Sequence, residues 1–249
     1  MTGNSLTGRR ALITGASEGI GAAIARQLAQ AGVRVAVAAR RAEPLGKLAR
    51  EIDAVALPGD LAEFDQIGKI VSSAAKALGG LDILVNNAGI MLLSPIAEGR
   101  VDDWKRMFDL NVVSLLAATA AALPYLRAGT GGDIVNVASM AAIRVPSAAG
   151  AVYAATKSAV RAVSEGMRLE FASEGIRTIV VSPGLVATNI ADSVSDPALR
   201  EGVRSLQRDK AISADDVALA VLYAIAQPRN VQTTEITMMS IHQGRAGVG

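Results

Sequence analysis

A chain of 249 residues in which 51% are hydrophobic and 19% charged carries enough apolar material for a sizeable core and lies far from a disordered composition. Its 25 basic and 23 acidic residues are scattered, leaving a net charge of +2 with no basic stripe, and three Phe, one Trp and three Tyr are too few for a base-stacking platform, so nucleic-acid binding is disfavoured. The absence of cysteine excludes disulfides, thiolate metal sites and cysteine nucleophiles, and the lone His242 cannot build a metal site, so no metal centre is expected.

Short β-branched runs alternate with longer alanine- and leucine-rich segments, the pattern of βαβ units around a parallel sheet. Strands are expected at 10–14, 33–39, 54–57, 81–86, 133–138, 177–182 and 235–240, and helices at 20–30, 44–51, 65–78, 101–126, 152–173 and 214–226. Most strand runs are apolar without alternation, which suits a doubly wound α/β sheet covered on both faces. No linker or repeat interrupts the chain, so residues 1–249 read as one domain. The first ten residues lack the apolar segment of a secretory signal, pointing to the cytoplasm, and the uncharged stretch 110–126 contains Asn111 and Pro124 and reads as a buried helix rather than a membrane span. The polar, aperiodic stretch 185–213 follows a strand end and reads as a substrate-covering lid.

The first strand runs through Gly15-Ala-Ser17-Glu18-Gly19-Ile20-Gly21 into a helix, placing three glycines where backbone can approach a pyrophosphate at a helix N-terminus. Their spacing is G-x-x-x-G-x-G rather than the generic G-x-G-x-x-G, and a plain glycine-rich turn is the alternative. At the end of the second strand, where NAD enzymes usually place an acid for the ribose hydroxyls, stand Arg40 and Arg41. Guanidinium groups there pair with a 2′-phosphate, so NADP(H) is the expected cofactor; Glu18, inside the phosphate loop, must face solvent or weaken that binding.

Tyr153 and Lys157 stand four residues apart on a predicted helix, with Cβ atoms about 5–6 Å apart. The ammonium can stabilise a tyrosinate and bring a phenol that titrates near pH ~10 toward neutrality. Taken alone, the pair reads equally as an aromatic contact and a solvated charge.

With the loop at 14–21, Asn86-Asn-Ala-Gly89 ending the fourth strand, Asn111 in the next long helix, Ser139 ending the fifth strand, and Tyr153 with Lys157, the whole chain resembles the short-chain dehydrogenase/reductase family. The resemblance implies a seven-stranded Rossmann fold and hydride transfer between a nicotinamide and a carbonyl or alcohol carbon. It implies that Tyr153 is the acid or base, that Lys157 lowers its pKa and binds the nicotinamide ribose, that Ser139 orients the substrate oxygen, and that Asn111 holds a relay water. Asp60 and Leu61 match the adenine-binding pair, Asn87, Ala88 and Gly89 the adenosine ribose side, and Pro183, Gly184, Val186 and Thr188 the nicotinamide end. The ending 230–240 and the run 79–93 look like those of NADP-dependent serine/3-hydroxy acid dehydrogenases and clavulanate-type aldehyde reductases, which implies a small carbonyl or alcohol substrate. A 3-oxoacyl thioester reductase and a non-catalytic NADP-binding regulator stand as alternatives. The family also implies a homotetramer, with Ala154, Ala155, Ala159 and Ala162 allowing close helix approach and Trp104, Met107 and Phe108 adding apolar surface.

Overall fold

The computed structural model describes residues 5–129 and 131–243; the expectations for the first four residues and for the last six lie outside the described residues. Seven strands form one wholly parallel sheet: β1 (Arg10–Thr14), β2 (Arg34–Ala39), β3 (Val55–Pro58), β4 (Ile83–Asn86), β5 (Asp133–Val137), β6 (Arg177–Pro183) and β7 (Glu235–Met238), in the spatial order β3-β2-β1-β4-β5-β6-β7. Because side chains alternate across a sheet, Ile13, Val37, Val85 and Val181 feed one core layer and Leu12, Ala38, Leu84 and Ile134 the other. The first layer is closed by α1 (Gly19–Gln30), α2 (Ala42–Glu51) and α8 (Ala214–Ile225), the second by α3 (Phe64–Leu78), α5 (Ser114–Arg127) and α6 (Ala151–Phe171). The strand order reverses between β1 and β4, and the cleft above their C-terminal ends is the place where such sheets bind ligands.

The single helix expected over 101–126 is three pieces. α4 (Val101–Phe108) passes through a π-helical turn, Asp109–Val113, into α5. By length and composition alone the run Val101–Arg127 suffices to cross a membrane. It packs on α3 and the sheet and buries Val112, Leu115, Ala118, Ala122 and Leu126, which makes it a core helix. The supposedly aperiodic stretch 185–213 contains a full helix, α7 (Pro197–Lys210), whose Asp196 side chain caps Leu199 N–H at 2.8 Å. Ala154 and Met107, read as interface residues, are buried; Ala155, Ala162 and Phe108 are exposed.

At the N-terminal ends of the strands, fully buried Asp133 receives Arg9 at 2.6 Å, Arg177 at 2.7 Å and Arg229 at 3.1 Å. Arg177, itself buried, also donates to the carbonyls of Ile225, Gln227, Pro228 and Val231, tying the end of α8 to β6. Removing the carboxylate strands buried guanidinium charge, a loss of about 3–5 kcal/mol. Asp133→Ala is therefore expected to lower the unfolding free energy by that amount in urea denaturation; a midpoint within error of the parent would show that the cluster contributes nothing.

Candidate functional site

The site assembles from strand ends. A phosphate-loop geometry begins with Thr14, whose hydroxyl accepts from the N–H groups of Asn87 and Ala88 at 3.0 and 3.1 Å and donates to Val85 C=O. The Asn87 amide reaches back to the carbonyls of Thr14 and Gly15 at 3.0 and 3.1 Å, so the loops after β1 and β4 form one unit. Two glycines are needed for that contact. Gly15 has φ +64° and a Cβ on it would stand 2.8 Å from Ala88 Cα, while one on Gly21 would stand 2.5 Å from Asn87 Nδ2.

Glu18 occupies the N-cap of α1, yet its carboxylate caps no amide, so no side chain competes for the amides at that helix end. Instead it pairs with Arg41 at 2.5 Å and accepts from Asn189 Nδ2 at 2.8 Å. The same Arg41 nitrogen lies 3.1 Å from Ser17 Oγ. Burial disfavours the Glu18 anion, but the bonds from Arg41 and Asn189 outweigh it and leave the carboxyl more acidic than usual. Glu18 is thus partly open to solvent but does not stand as a bare charge in the loop. Exposed Arg40 lies beside Asp60 at 3.9 Å. Asp60 turns the chain after β3 by accepting from Ala62 N–H, and Leu61 is buried in the core below.

α6 presents one inward stripe, Tyr153, Thr156, Lys157, Val160, Ser164, Met167 and Phe171, at helical spacing. A buried network aims it: Asn86 donates to Asn136, and Asn136 to Ser164 on the helix, at 2.9 and 2.8 Å. Ser139, just beyond β5, caps the following short turn through Ala141 N–H, and its hydroxyl favours the Tyr153 anion. Lys157 donates to Val137 C=O at 2.9 Å, and its nitrogen lies 5.9 Å from the Tyr153 ring centre.

The π turn places Asn111 inward and almost fully buried. Its carbonyl oxygen accepts from Ile90 N–H at 2.8 Å, and its amide donates to Ile90 C=O at 2.9 Å and Thr156 Oγ1 at 3.1 Å. A Cβ on Gly89 would stand 3.1 Å from Asn111 Oδ1 and 3.6 Å from Lys157 Nζ, so these groups converge on one point of backbone.

Burial dominates the electrostatics. It pushes the Tyr153 phenol up to about 12, against the lowering effect of Ser139, and pulls the Lys157 ammonium down to about 8. In this geometry burial raises the phenol, and the Lys157 ammonium makes its contact with Val137. What stands there is a buried phenol beside a hydroxyl, above a lysine poised to titrate.

After β6, Pro183 is buried, Gly184 N–H bonds Met238 C=O, and Val186 bridges to Ile212. Thr188 opens the short helix Asn189–Ser193, which Ser193 fastens to Met91 C=O at 2.9 Å. Val194, Leu199 and Val203 then join Leu92, Leu93, Met107 and Tyr153 in a third apolar cluster, so the segment covers the phenol. Thr14, Thr156 and Asn189 were not among the expected site residues. Thr14 was legible as the last strand residue before the glycine loop and Thr156 as a polar neighbour on the Tyr153 face. A groove of about 710 Å³ lies at the opposite end of the sheet, where its arginines are paired with Asp82, Asp133 and carbonyl groups. Among the described residues no cluster of His, Asp or Glu could hold a metal.

The short chain dehydrogenase family profile matches residues 9–198. An uncharacterized oxidoreductase of Staphylococcus aureus strain USA300 is 36% identical over 239 residues, spanning 95% of this chain and 99% of that protein. A short chain dehydrogenase from Burkholderia cenocepacia J2315, solved in complex with NADP, superimposes with a TM-score of 0.85 at 36% identity over 94% of this chain and 98% of its own. The closed form of a serine dehydrogenase complexed with NADP+ gives 0.87 at 32% identity over 96% and 98%.

Removing the Asn111 side chain would orphan both backbone groups of Ile90, a loss of about 2 kcal/mol. Asn111→Ala is expected to melt several degrees lower in calorimetry, and an unchanged melting temperature would mean that those bonds are dispensable.

Proposed function

The chain belongs to the short-chain dehydrogenase family, and within that oxidoreductase family we propose that it is an NADP(H)-dependent enzyme reducing a small ketone or aldehyde, or oxidising the corresponding alcohol, 3-hydroxy acids included. The observation that carries this reading is the buried Tyr153 phenol beside Ser139, with Lys157 and Asn111 meeting behind it at Gly89. NADP-bound relatives support the cofactor, and the serine dehydrogenase likeness supports a small hydroxylated substrate.

The residues fit the nucleotide. Gly15, Ser17, Gly19, Ile20 and Gly21 would hold the pyrophosphate at the uncapped start of α1, and Arg40 and Arg41 the 2′-phosphate. Asp60 and Leu61 would border the adenine, Asn87, Ala88 and Gly89 the adenosine ribose, and Pro183, Gly184, Val186 and Thr188 the nicotinamide. Bound there, the nicotinamide would supply or accept the hydride. Tyr153 gives its proton to the carbonyl oxygen during reduction, and Ser139 holds that oxygen in line. Lys157, with two donors left beyond Val137, holds ribose hydroxyls and offsets the tyrosinate charge that develops. Asn111 fixes the Gly89–Ile90 backbone beside Lys157, and its carbonyl oxygen keeps a second lone pair for a relay water.

We place the working form in the cytoplasm as a homotetramer, a reading supported by the family likeness and by exposed Phe108, Val113 and Leu116 along α4 and α5.

Tyr153→Phe is expected to reduce turnover at least ~10³-fold while leaving NADPH affinity within about twofold, read from loss of absorbance at 340 nm across a carbonyl panel that includes acyl thioesters, and from NADPH fluorescence titration. Retained turnover would remove the tyrosine from the chemistry.

The pH dependence follows from the two shifts. Below about 8 Lys157 is charged and Tyr153 protonated, whereas between about 8 and 12 the acid survives without its cation. Reduction kcat/KM is therefore expected to be level from pH 6 to about 8 and to fall above it; a level profile to pH 10 would contradict the role given to Lys157.

A further inference from the structure

We propose that Glu18 is a positioning residue that couples occupation of the Arg41 phosphate subsite to closure of the lid, an inference that rests on the NADP(H) reading. One carboxylate serves two loops. One oxygen holds the Arg41 guanidinium at 2.5 Å; the other accepts from Asn189 at 2.8 Å, across 171 residues of sequence. Asn189 begins the short helix whose far end, Ser193, is fastened to Met91 by bonds of 2.9 and 3.1 Å. Thr188, one residue earlier, presses its methyl against Gly19, where a Cβ would stand 3.2 Å away, and Gln207 of α7 holds the carbonyls of Val186 and Thr188. The segment 188–193 is thereby pinned at one end by the phosphate loop and at the other by the loop after β4, and it leads into Val194 of the cluster that contains Tyr153.

An acid at this place is otherwise a liability, since it competes with a phosphate for Arg41 and caps nothing at the start of α1. The contacts give it a use. A 2′-phosphate that takes the Arg41 guanidinium releases Glu18 from its ion pair, and the freed carboxylate is left with Asn189 as its partner. The lid contact then strengthens only for a nucleotide carrying the 2′-phosphate. Linkage requires the converse: a firmer lid favours NADPH over NADH.

Hydrogen exchange of segment 188–193, measured without nucleotide and at saturating NADPH or NADH, tests this directly, together with calorimetric Kd values for both nucleotides. In the parent, NADPH is expected to slow exchange of 188–193 several-fold more than NADH. Asn189→Ala touches neither Arg41 nor the glycines, yet should erase that difference and lower the Kd(NADH)/Kd(NADPH) ratio about fivefold, a typical coupling size. Glu18→Gln keeps an acceptor for Asn189 but loses the charge, and should retain slow exchange without nucleotide while losing the difference between nucleotides. Equal protection by both nucleotides in the parent, or an unchanged ratio in Asn189→Ala, overturns the coupling while NADPH preference stands. A parent that prefers NADH overturns the cofactor reading itself, and the coupling with it.

Discussion

The Thr14 hydroxyl is the joint on which the site depends. Three bonds to the chain around β4 hold the C-terminal end of β1 against its neighbour at the one place where the strand order reverses. The β1–β4 ladder ends at Ile13 and Val85, and beyond it the Thr14 hydroxyl holds the two chains together under the glycine loop. The glycines are consequences of this closeness: two chains packed to within a few ångströms leave no room for side chains between them. The same closeness brings Gly89 within reach of Asn111 and Lys157, so the phosphate loop and the proton-handling groups share one rigid foundation.

Above that foundation the chemistry is set by desolvation. Burial raises the phenol and lowers the ammonium, which opens a gap of about four pH units between two groups that ordinarily titrate close together, with the lysine the weaker holder of its proton. A phenol in such surroundings is a poor anion and a dependable acid. Any tyrosinate formed at this spot must be stabilised by groups brought closer than the 5.9 Å between Lys157 and the ring centre, which makes the position of the lysine, rather than its presence, the controlling variable.

How much of this was legible in the sequence depended on range. All seven strands could be read, because parallel strands buried on both faces are continuous apolar runs and need no partner to be recognised. Tyr153 and Lys157 could be paired by their helical spacing, but the roles of Asn111 and Ser139 came from the family resemblance and not from local pattern. α7 was missed although Asp196-Pro197 is a helix start by cap and by φ; its polar surface and single apolar stripe hid it. The partners of Glu18 were beyond reach, since Asn189 lies 171 residues away and only the fold brings the two together. The burial that raises the phenol was also beyond reach, because spacing gives the distance between two side chains but not the dielectric around them.

The π turn at Asp109–Val113 amounts to one residue more than an α-helix would use over the same rise. Each residue advances a helix by about 100°, so a single deletion here would re-phase one half of the α4–α5 rod against the other. Met107 on one side and Leu115 on the other are both buried, and they could not both stay so. The wide turn acts as a register spacer, letting one continuous rod serve two differently oriented surfaces while the slack residue is spent on an inward-facing asparagine. An insertion or deletion within this turn would be felt at the phenol two elements away.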